Sequence, residues 1–233
     1  MAQLLRAVLL DMDGTLVETE QFWGEAMSEL AARHGGRMST AARERTVGTS
    51  MHRAMTVLHE DLGLRSTEEQ RHADGEWVEE RTRELMALGV SWRPGARELV
   101  TEVRDAGLAT ALVTTTPRRL AAVVLDQIAA DLGGDPFDVS VCGDEVPARK
   151  PDPAPYRQAM AELGVEPSDC VVIEDSLVGV ASGLAAGAAV LGVPSLQPLE
   201  PVLGLVLRGS LAGLGVAGLA GLLTGRVEDD PAA

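Results

Sequence analysis

Residues 7–15 read AVLLDMDGT, an apolar run that ends in two aspartates and a glycine. The apolar part has the length and composition of a short buried strand. In an open α/β sheet, ligands bind at the carboxyl ends of the strands, which is where Asp11 and Asp13 stand. Two carboxylates are costly to bury unpaired, and a hard divalent cation such as Mg²⁺ is their natural partner. A carboxylate held beside such a cation can attack a phosphoryl group, although a solvated Asp-Gly turn has the same sequence.

The lysine content of the chain points to a second site residue. The chain has 20 basic residues, and Lys150 is the one lysine among them. Arginine cannot replace lysine where a compact point charge is needed, so this ammonium indicates a function. Pro151 and Pro153 favour an extended or turning backbone before a helix. The alternative is a surface lysine that was kept by chance.

Two further apolar runs also end in polar side chains. Residues 170–175 read CVVIED and bring Glu174 and Asp175 to a strand end, where Ser176 is placed to cap the following helix. Residues 109–116 read ATALVTTT, and hydroxyls with free amides at such a junction can hold a phosphate. Taken alone, the first run is also typical of an acidic first helical turn, and the second of a threonine cap.

With these segments in this order, the chain resembles the haloacid dehalogenase superfamily, in the branch of phosphatases and phosphoglucomutases with a helical cap. The resemblance spans residues 5–224. The segments that stand at the positions of the four superfamily motifs are Asp11-x-Asp13-Gly14-Thr15, Thr114, Lys150-Pro151 and Glu174-Asp175.

This resemblance implies a role for each charged residue. Asp11 would be the nucleophile that forms an aspartyl-phosphate, and Asp13 would be the general acid and then the general base. Lys150 would offset the negative charge of Asp11 and of the phosphate. The implied cofactor is Mg²⁺, bound by Asp11, by the backbone carbonyl of Asp13 and by Asp175, with Glu174 acting through a bound water.

The resemblance also implies contacts with the substrate. The hydroxyl of Thr114 and the amide of Thr115 would bind phosphoryl oxygens. Gly48 lies in a segment that resembles the specificity loop of the group, and Arg53 follows as a candidate anchor for an anionic substrate. Trp23 stands where mutases of the group carry a histidine, which favours a phosphatase over a mutase.

These observations predict a Mg²⁺-dependent phosphatase of small phosphorylated metabolites, such as sugar phosphates or related monoesters. Two alternatives stay open: a sugar phosphomutase and a non-catalytic protein that binds phosphorylated metabolites. An intact nucleophile and an intact acid disfavour the non-catalytic alternative, because a protein that only binds needs neither.

One strand precedes an all-helical stretch, and strands alternate with helices after it. This pattern predicts an α/β fold, a doubly wound parallel sheet with an inserted helical cap domain. We assign residues 1–16 and 92–225 to the core, residues 17–91 to the cap and residues 226–233 to a disordered tail.

Composition limits the partners and the location of the protein. The net charge of −15 argues against a nucleic-acid or membrane partner. Two cysteines in apolar runs and the lack of a leader-like N-terminus predict a cytoplasmic protein with reduced thiols, and we expect a monomer. His34, His59 and His72 show no spacing typical of a ligand site.

Overall fold

The structure is a computed structural model that describes residues 4–47 and 49–225. The chain divides into two compact units, an α/β unit of Met1–Glu18 and Ser91–Ala233 and a helical unit of Thr19–Val90. The predicted disorder of residues 226–233 and the predicted substrate contact of Gly48 lie outside the described residues.

The strands and helices follow one another in the order that the sequence predicts, with two short strands added. The strands are β1 (Ala7–Leu10), β2 (Val17–Glu18), β3 (Ser91–Trp92), β4 (Ala109–Val113), β5 (Val139–Val141), β6 (Cys170–Glu174), β7 (Ala189–Gly192) and β8 (Leu205–Leu207). The helices are α1 (Glu20–Arg33), α2 (Thr40–Thr46), α3 (Met51–Asp61), α4 (Glu68–Met86), α5 (Ala96–Asp105), α6 (Arg118–Leu132), α7 (Ala154–Leu163), α8 (Leu177–Ala186) and α9 (Val216–Leu223). A 3₁₀ turn, Pro167–Asp169, precedes β6.

Among the described residues, six strands form one parallel sheet in the order β5-β4-β1-β6-β7-β8. This confirms the predicted doubly wound α/β fold. The chain leaves β1 towards one side through β4 and β5, and then returns to the other side of β1 through β6. The order therefore reverses between β1 and β6, and ligands of such sheets bind at this switch point.

The register of the central strands brings the acidic segments together. Leu10 pairs with Leu112 of β4 and with Ile173 of β6, so Asp11 and Glu174 are the next residues along two adjacent strands. Every residue of β1 and β6 is buried, which explains why these strands are continuous apolar runs without alternation.

The structure differs from the sequence-based prediction at the two ends of the helical unit. At these ends β2 and β3 pair as antiparallel strands, with Glu18 opposite Ser91, and the sequence-based assignment did not include them. The Arg93 guanidinium donates to the Glu18 carboxylate, and the Arg93 amide donates to the Leu16 carbonyl. Strands of two residues are too short to show an alternating pattern, which is why the sequence did not reveal them.

Every regular element described between Thr19 and Val90 is helical, as the sequence predicts. Ser39, Ser50 and Thr67 begin α2, α3 and α4, and each side chain accepts a hydrogen bond from a backbone amide of the first turn. Thr67 and Gln70 form a reciprocal capping box. The apolar faces of α1, α3 and α4 form a separate core around Leu30, Leu58 and Val78.

Both cysteines, Cys142 and Cys170, are buried free thiols, as predicted. Burial raises the pKa of each thiol to about 12, so both stay protonated at neutral pH. Among the described residues, no helix combines the length and the apolar composition that crossing a membrane requires.

Candidate active site

The turn after β1 brings its acidic residues next to the end of β6. Gly14 adopts a positive φ of 81°, a backbone conformation that glycine adopts without strain. A Cβ atom on Gly14 would also overlap the Asp175 carboxylate. Glycine at this position thus allows the chain to turn while Asp175 stays close to the backbone.

Three carboxylates meet at the switch point of the sheet. Asp11, Glu174 and Asp175 each offer an oxygen, and these oxygens lie within 4.8 Å of one another. Burial and mutual repulsion disfavour the charged forms, so the pKa of Asp11 is raised to about 7 and that of Asp175 to about 9.

This carboxylate cluster has the donor chemistry of a magnesium site. Carboxylate oxygens are the ligands that Mg²⁺ prefers, and a divalent cation would offset the repulsion that raises both pKa values. The residues present therefore fit a hard divalent cation. The backbone carbonyl of Asp13 stays a predicted ligand.

Lys150 is buried beside two of these carboxylates. Its Nζ donates to Asp11 Oδ1 at 2.7 Å, to the Val113 carbonyl at 2.8 Å and to Glu174 Oε1 at 2.5 Å. Burial alone would lower the pKa of Lys150, but the charges of Asp11 and Glu174 outweigh it and raise this pKa. The side chain is only 1% exposed, which contradicts the alternative of a chance surface lysine.

Three convergent acceptors explain why this position holds a lysine in an arginine-rich chain. An ammonium group has three donors on one atom, and here all three are used. A planar guanidinium spreads its donors over a wider fork and cannot reproduce this arrangement.

The Glu174 carboxylate is fixed from several sides. Tyr156 donates its hydroxyl proton to Oε1 at 2.7 Å, and Ser176 donates to Oε2 at 3.1 Å. A Cβ atom on Gly179 would overlap this carboxylate. Glu174 thus joins the carboxylate cluster and is also the partner of Lys150, while its predicted action through a water stays a prediction.

Sequence reasoning missed Tyr156 as a site residue. It is completely buried in α7, with its ring centroid 4.9 Å from Lys150 Nζ. The available signal was that it is the only tyrosine of the chain and stands shortly after the Lys150-Pro151 segment.

Two threonines after β4 hold the Asp13 side chain. Thr114 donates to Asp13 Oδ2 at 3.1 Å, and Thr116 donates to the same oxygen at 2.7 Å. The Thr116 amide donates in turn to the Thr114 hydroxyl at 3.0 Å. Thr116 is a further site residue that sequence reasoning missed, and the spacing Thr-x-Thr after a strand was the signal for it. The exposed Thr115 lies between these threonines, and phosphate binding by Thr114 and Thr115 stays a prediction.

The predicted substrate contacts of the helical unit are not tested by this geometry. Arg53 is exposed in the first turn of α3. Trp23 is partly buried against the apolar core of the helical unit, the ordinary position for an aromatic residue on an amphipathic helix.

The chain is similar to known proteins over most of its length. A protein-family model described as haloacid dehalogenase-like hydrolase matches residues 5–187. The chain is 34% identical to protein CbbY of Rhodobacter capsulatus over 197 residues, which are 82% of this chain and 86% of that protein. It is 32% identical to the phosphorylated carbohydrates phosphatase of Thermotoga maritima over 183 residues, covering 78% of this chain and 82% of that one.

A solved structure agrees with this similarity. The crystal structure of a variant of CbbY from Rhodobacter sphaeroides in complex with xylulose-(1,5)bisphosphate aligns with a TM-score of 0.76 at 30% identity. The alignment covers 93% of this chain and 99% of that chain.

Proposed function

Because the chain belongs to the haloacid dehalogenase-like hydrolases, we propose that it is a phosphatase of small phosphorylated metabolites. The observation that carries this proposal is the contact of Lys150 Nζ with Asp11 Oδ1, inside a carboxylate cluster at the switch point of the sheet. The relative from Thermotoga maritima, which is named as a phosphatase, supports the same reaction class.

In the first step of the proposed reaction, the Asp11 carboxylate attacks phosphorus and the bond to the leaving oxygen breaks. Asp13 gives its proton to that oxygen, and Thr116 holds the Asp13 side chain in position. Lys150 stabilises the negative charge that develops on the phosphoryl group.

In the second step, the Asp13 carboxylate removes a proton from a water molecule that attacks the aspartyl-phosphate on Asp11. The bond between Asp11 and phosphorus breaks, inorganic phosphate leaves, and both aspartates regain their starting states. Asp11, Asp175 and the Asp13 carbonyl would hold Mg²⁺, with Glu174 behind a water. When bound, this ion supplies positive charge that polarises the phosphoryl oxygens.

We propose phosphorylated sugars or related monoesters as substrates. The Thermotoga maritima relative is named for phosphorylated carbohydrates, and the similar CbbY structure holds xylulose-(1,5)bisphosphate. Within this proposal, Thr114 and the Thr115 amide bind the phosphoryl oxygens, and Arg53 and Gly48 contact the rest of the substrate.

We also propose that the protein is a monomer and lies in the cytosol. The buried free thiols of Cys142 and Cys170 are typical of a reducing compartment. The net charge of −15 disfavours nucleic acid as a partner. Size-exclusion chromatography with light scattering tests the monomer.

The test is phosphate release over a panel of phosphorylated metabolites that includes both anomers of glucose 1-phosphate, with and without Mg²⁺. We expect Mg²⁺-dependent release that falls to background in Asp11→Asn. The matched control is Asp105→Asn, which makes the same change at an exposed aspartate and should keep native activity.

Two other outcomes identify the alternatives. Transfer between sugar hydroxyls that depends on glucose 1,6-bisphosphate, without net release, would mean a phosphomutase. Binding of sugar phosphates without either reaction would mean a non-catalytic protein and would overturn the proposal.

A further inference from the structure

Three helices of the helical unit bring two histidines and an aspartate together. His34 follows the last residue of α1, His59 lies in α3, and Asp74 lies in α4. Asp74 Oδ2 is 2.8 Å from His34 Nε2 and 2.9 Å from His59 Nε2. One ligand atom from each residue lies within 4.8 Å of the other two.

We propose that His34, His59 and Asp74 form a binding site for a transition-metal ion of the Zn²⁺ type. This His-His-Asp site shares no residue with the carboxylate cluster. Two imidazole nitrogens and one carboxylate oxygen suit Zn²⁺ and its neighbours, whereas Mg²⁺ prefers oxygen ligands alone. Three protein ligands leave a fourth tetrahedral position for a water molecule.

The surroundings of His59 support this assignment. Its side chain is 4% exposed, and neither ring nitrogen has a hydrogen-bond partner among the described residues. The Nε2 atom lies close to Asp74 Oδ2 but is not aligned with it for a hydrogen bond. Buried polar atoms without a partner are rare because they cost free energy. A metal ion would supply the partner that one of these nitrogens lacks.

The site is also accessible and close to the required size. The side chains of His34 and Asp74 are 31% and 20% exposed, so an ion can enter from solvent. Tetrahedral ligand atoms at zinc distances of about 2.0–2.1 Å lie about 3.3 Å apart. Each histidine therefore needs to move away from Asp74 by about 0.5 Å, and His34, just after the end of α1, can make this shift.

Burial lowers the pKa of His59, although the charge of Asp74 opposes this effect. Metals bind the neutral form of an imidazole. An ion at this site would join α1, α3 and α4 and stabilise the folded helical unit.

The experiment is a titration of the metal-free full-length protein with Zn²⁺ by calorimetry, in excess Mg²⁺ that occupies the carboxylate cluster. We expect one Zn²⁺ per chain and an increase in Tm. Titration with Co²⁺ should give the visible absorption of a four-coordinate site with nitrogen ligands.

His34→Ala and Asp74→Asn carry the test, because both side chains are partly exposed and their loss leaves the apolar core intact. We expect each variant to bind Zn²⁺ at least about 10-fold more weakly. The control variants are His52→Ala and His72→Ala, two exposed histidines beside glutamates in the same unit, and they should bind as the native protein does. No Zn²⁺ binding by the native protein, or unchanged binding in His34→Ala and Asp74→Asn, would overturn the proposal.

Discussion

The Thr116 hydroxyl positions the second aspartate of the site, because it donates to Asp13 Oδ2 at 2.7 Å. Thr116→Val keeps the shape of the side chain but removes this donor. We expect kcat for phosphate release to fall about 10-fold, which corresponds to about 1.4 kcal/mol. KM should change little, because Asp13 acts in the chemical step and not in binding. Steady-state kinetics measure both constants.

Thr116→Ser is the matched control, since it retains the hydroxyl and should stay close to native activity. Native kcat in Thr116→Val would show that this hydroxyl does not position Asp13.

The Tyr156 hydroxyl stabilises the buried Glu174 carboxylate. Tyr156→Phe removes one donor to a buried charge but keeps the ring beside Lys150 Nζ. We expect the free energy of unfolding to fall by about 1.5–3 kcal/mol, the usual contribution of a hydrogen bond to a charged group. Urea denaturation measures this change. An unchanged free energy of unfolding would mean that the other donors to Glu174 compensate fully.

At the scale of single residues, sequence reasoning identified groups that carry charge but not the groups that hold them. The structure brings Asp11, Lys150, Glu174 and Asp175 together, and their catalytic roles stay predictions. The contacts of Thr116 and Tyr156 could not be foreseen, because they join residues 103 and 18 positions apart in the chain. Such contacts depend on the register of the sheet, which a single sequence does not specify.

The capping box at the start of α4 supports the longest helix among the described residues. Thr67 accepts from the Gln70 amide at 3.2 Å, and the Gln70 side chain accepts from the Thr67 amide at 2.8 Å. Thr67→Ala removes one half of this exchange, so we expect the free energy of unfolding to fall by about 1 kcal/mol. Thr67→Ser retains the acceptor and should be close to native in the same urea titration. Equal losses in the two variants would contradict the capping role.

At the scale of elements, the sequence predicts those helices and strands that have a clear hydrophobic period or a clear capping residue. β6 and α8 form where the sequence predicts them, because an apolar run marks the strand and Ser176 caps the helix that follows. β2 and β3 were missed because their pairing depends on residues more than seventy positions apart and not on local composition.

At the scale of the whole molecule, the carboxylate cluster makes stability depend on pH when no divalent cation is bound. The pKa values of Asp11 and Asp175 are raised to about 7 and about 9 by burial and by the neighbouring carboxylates. From about pH 4 up to these values, the folded chain holds protons that the unfolded chain has lost. The contribution of these groups to the free energy of unfolding therefore falls as the pH rises.

In the presence of a chelator, we expect the native protein to lose stability relative to Asp175→Asn as the pH is raised from about 5 to about 9. Acids outside the carboxylate cluster contribute equally to both proteins and cancel in the comparison. Adding Mg²⁺ should stabilise the native protein more than the variant. Parallel pH profiles from urea denaturation in chelator would contradict the raised pKa of Asp175.

The pairing of β2 with β3 has a consequence for how a molecule of this design can change over evolution. Glu18 lies opposite Ser91, so the two points at which the chain leaves and re-enters the α/β unit are paired with each other. A segment placed between them can lengthen, shorten or be exchanged without shifting the register of a strand. An entire inserted segment can therefore be replaced by another, while the ends of β1 and β6, which carry the carboxylate cluster, keep their positions.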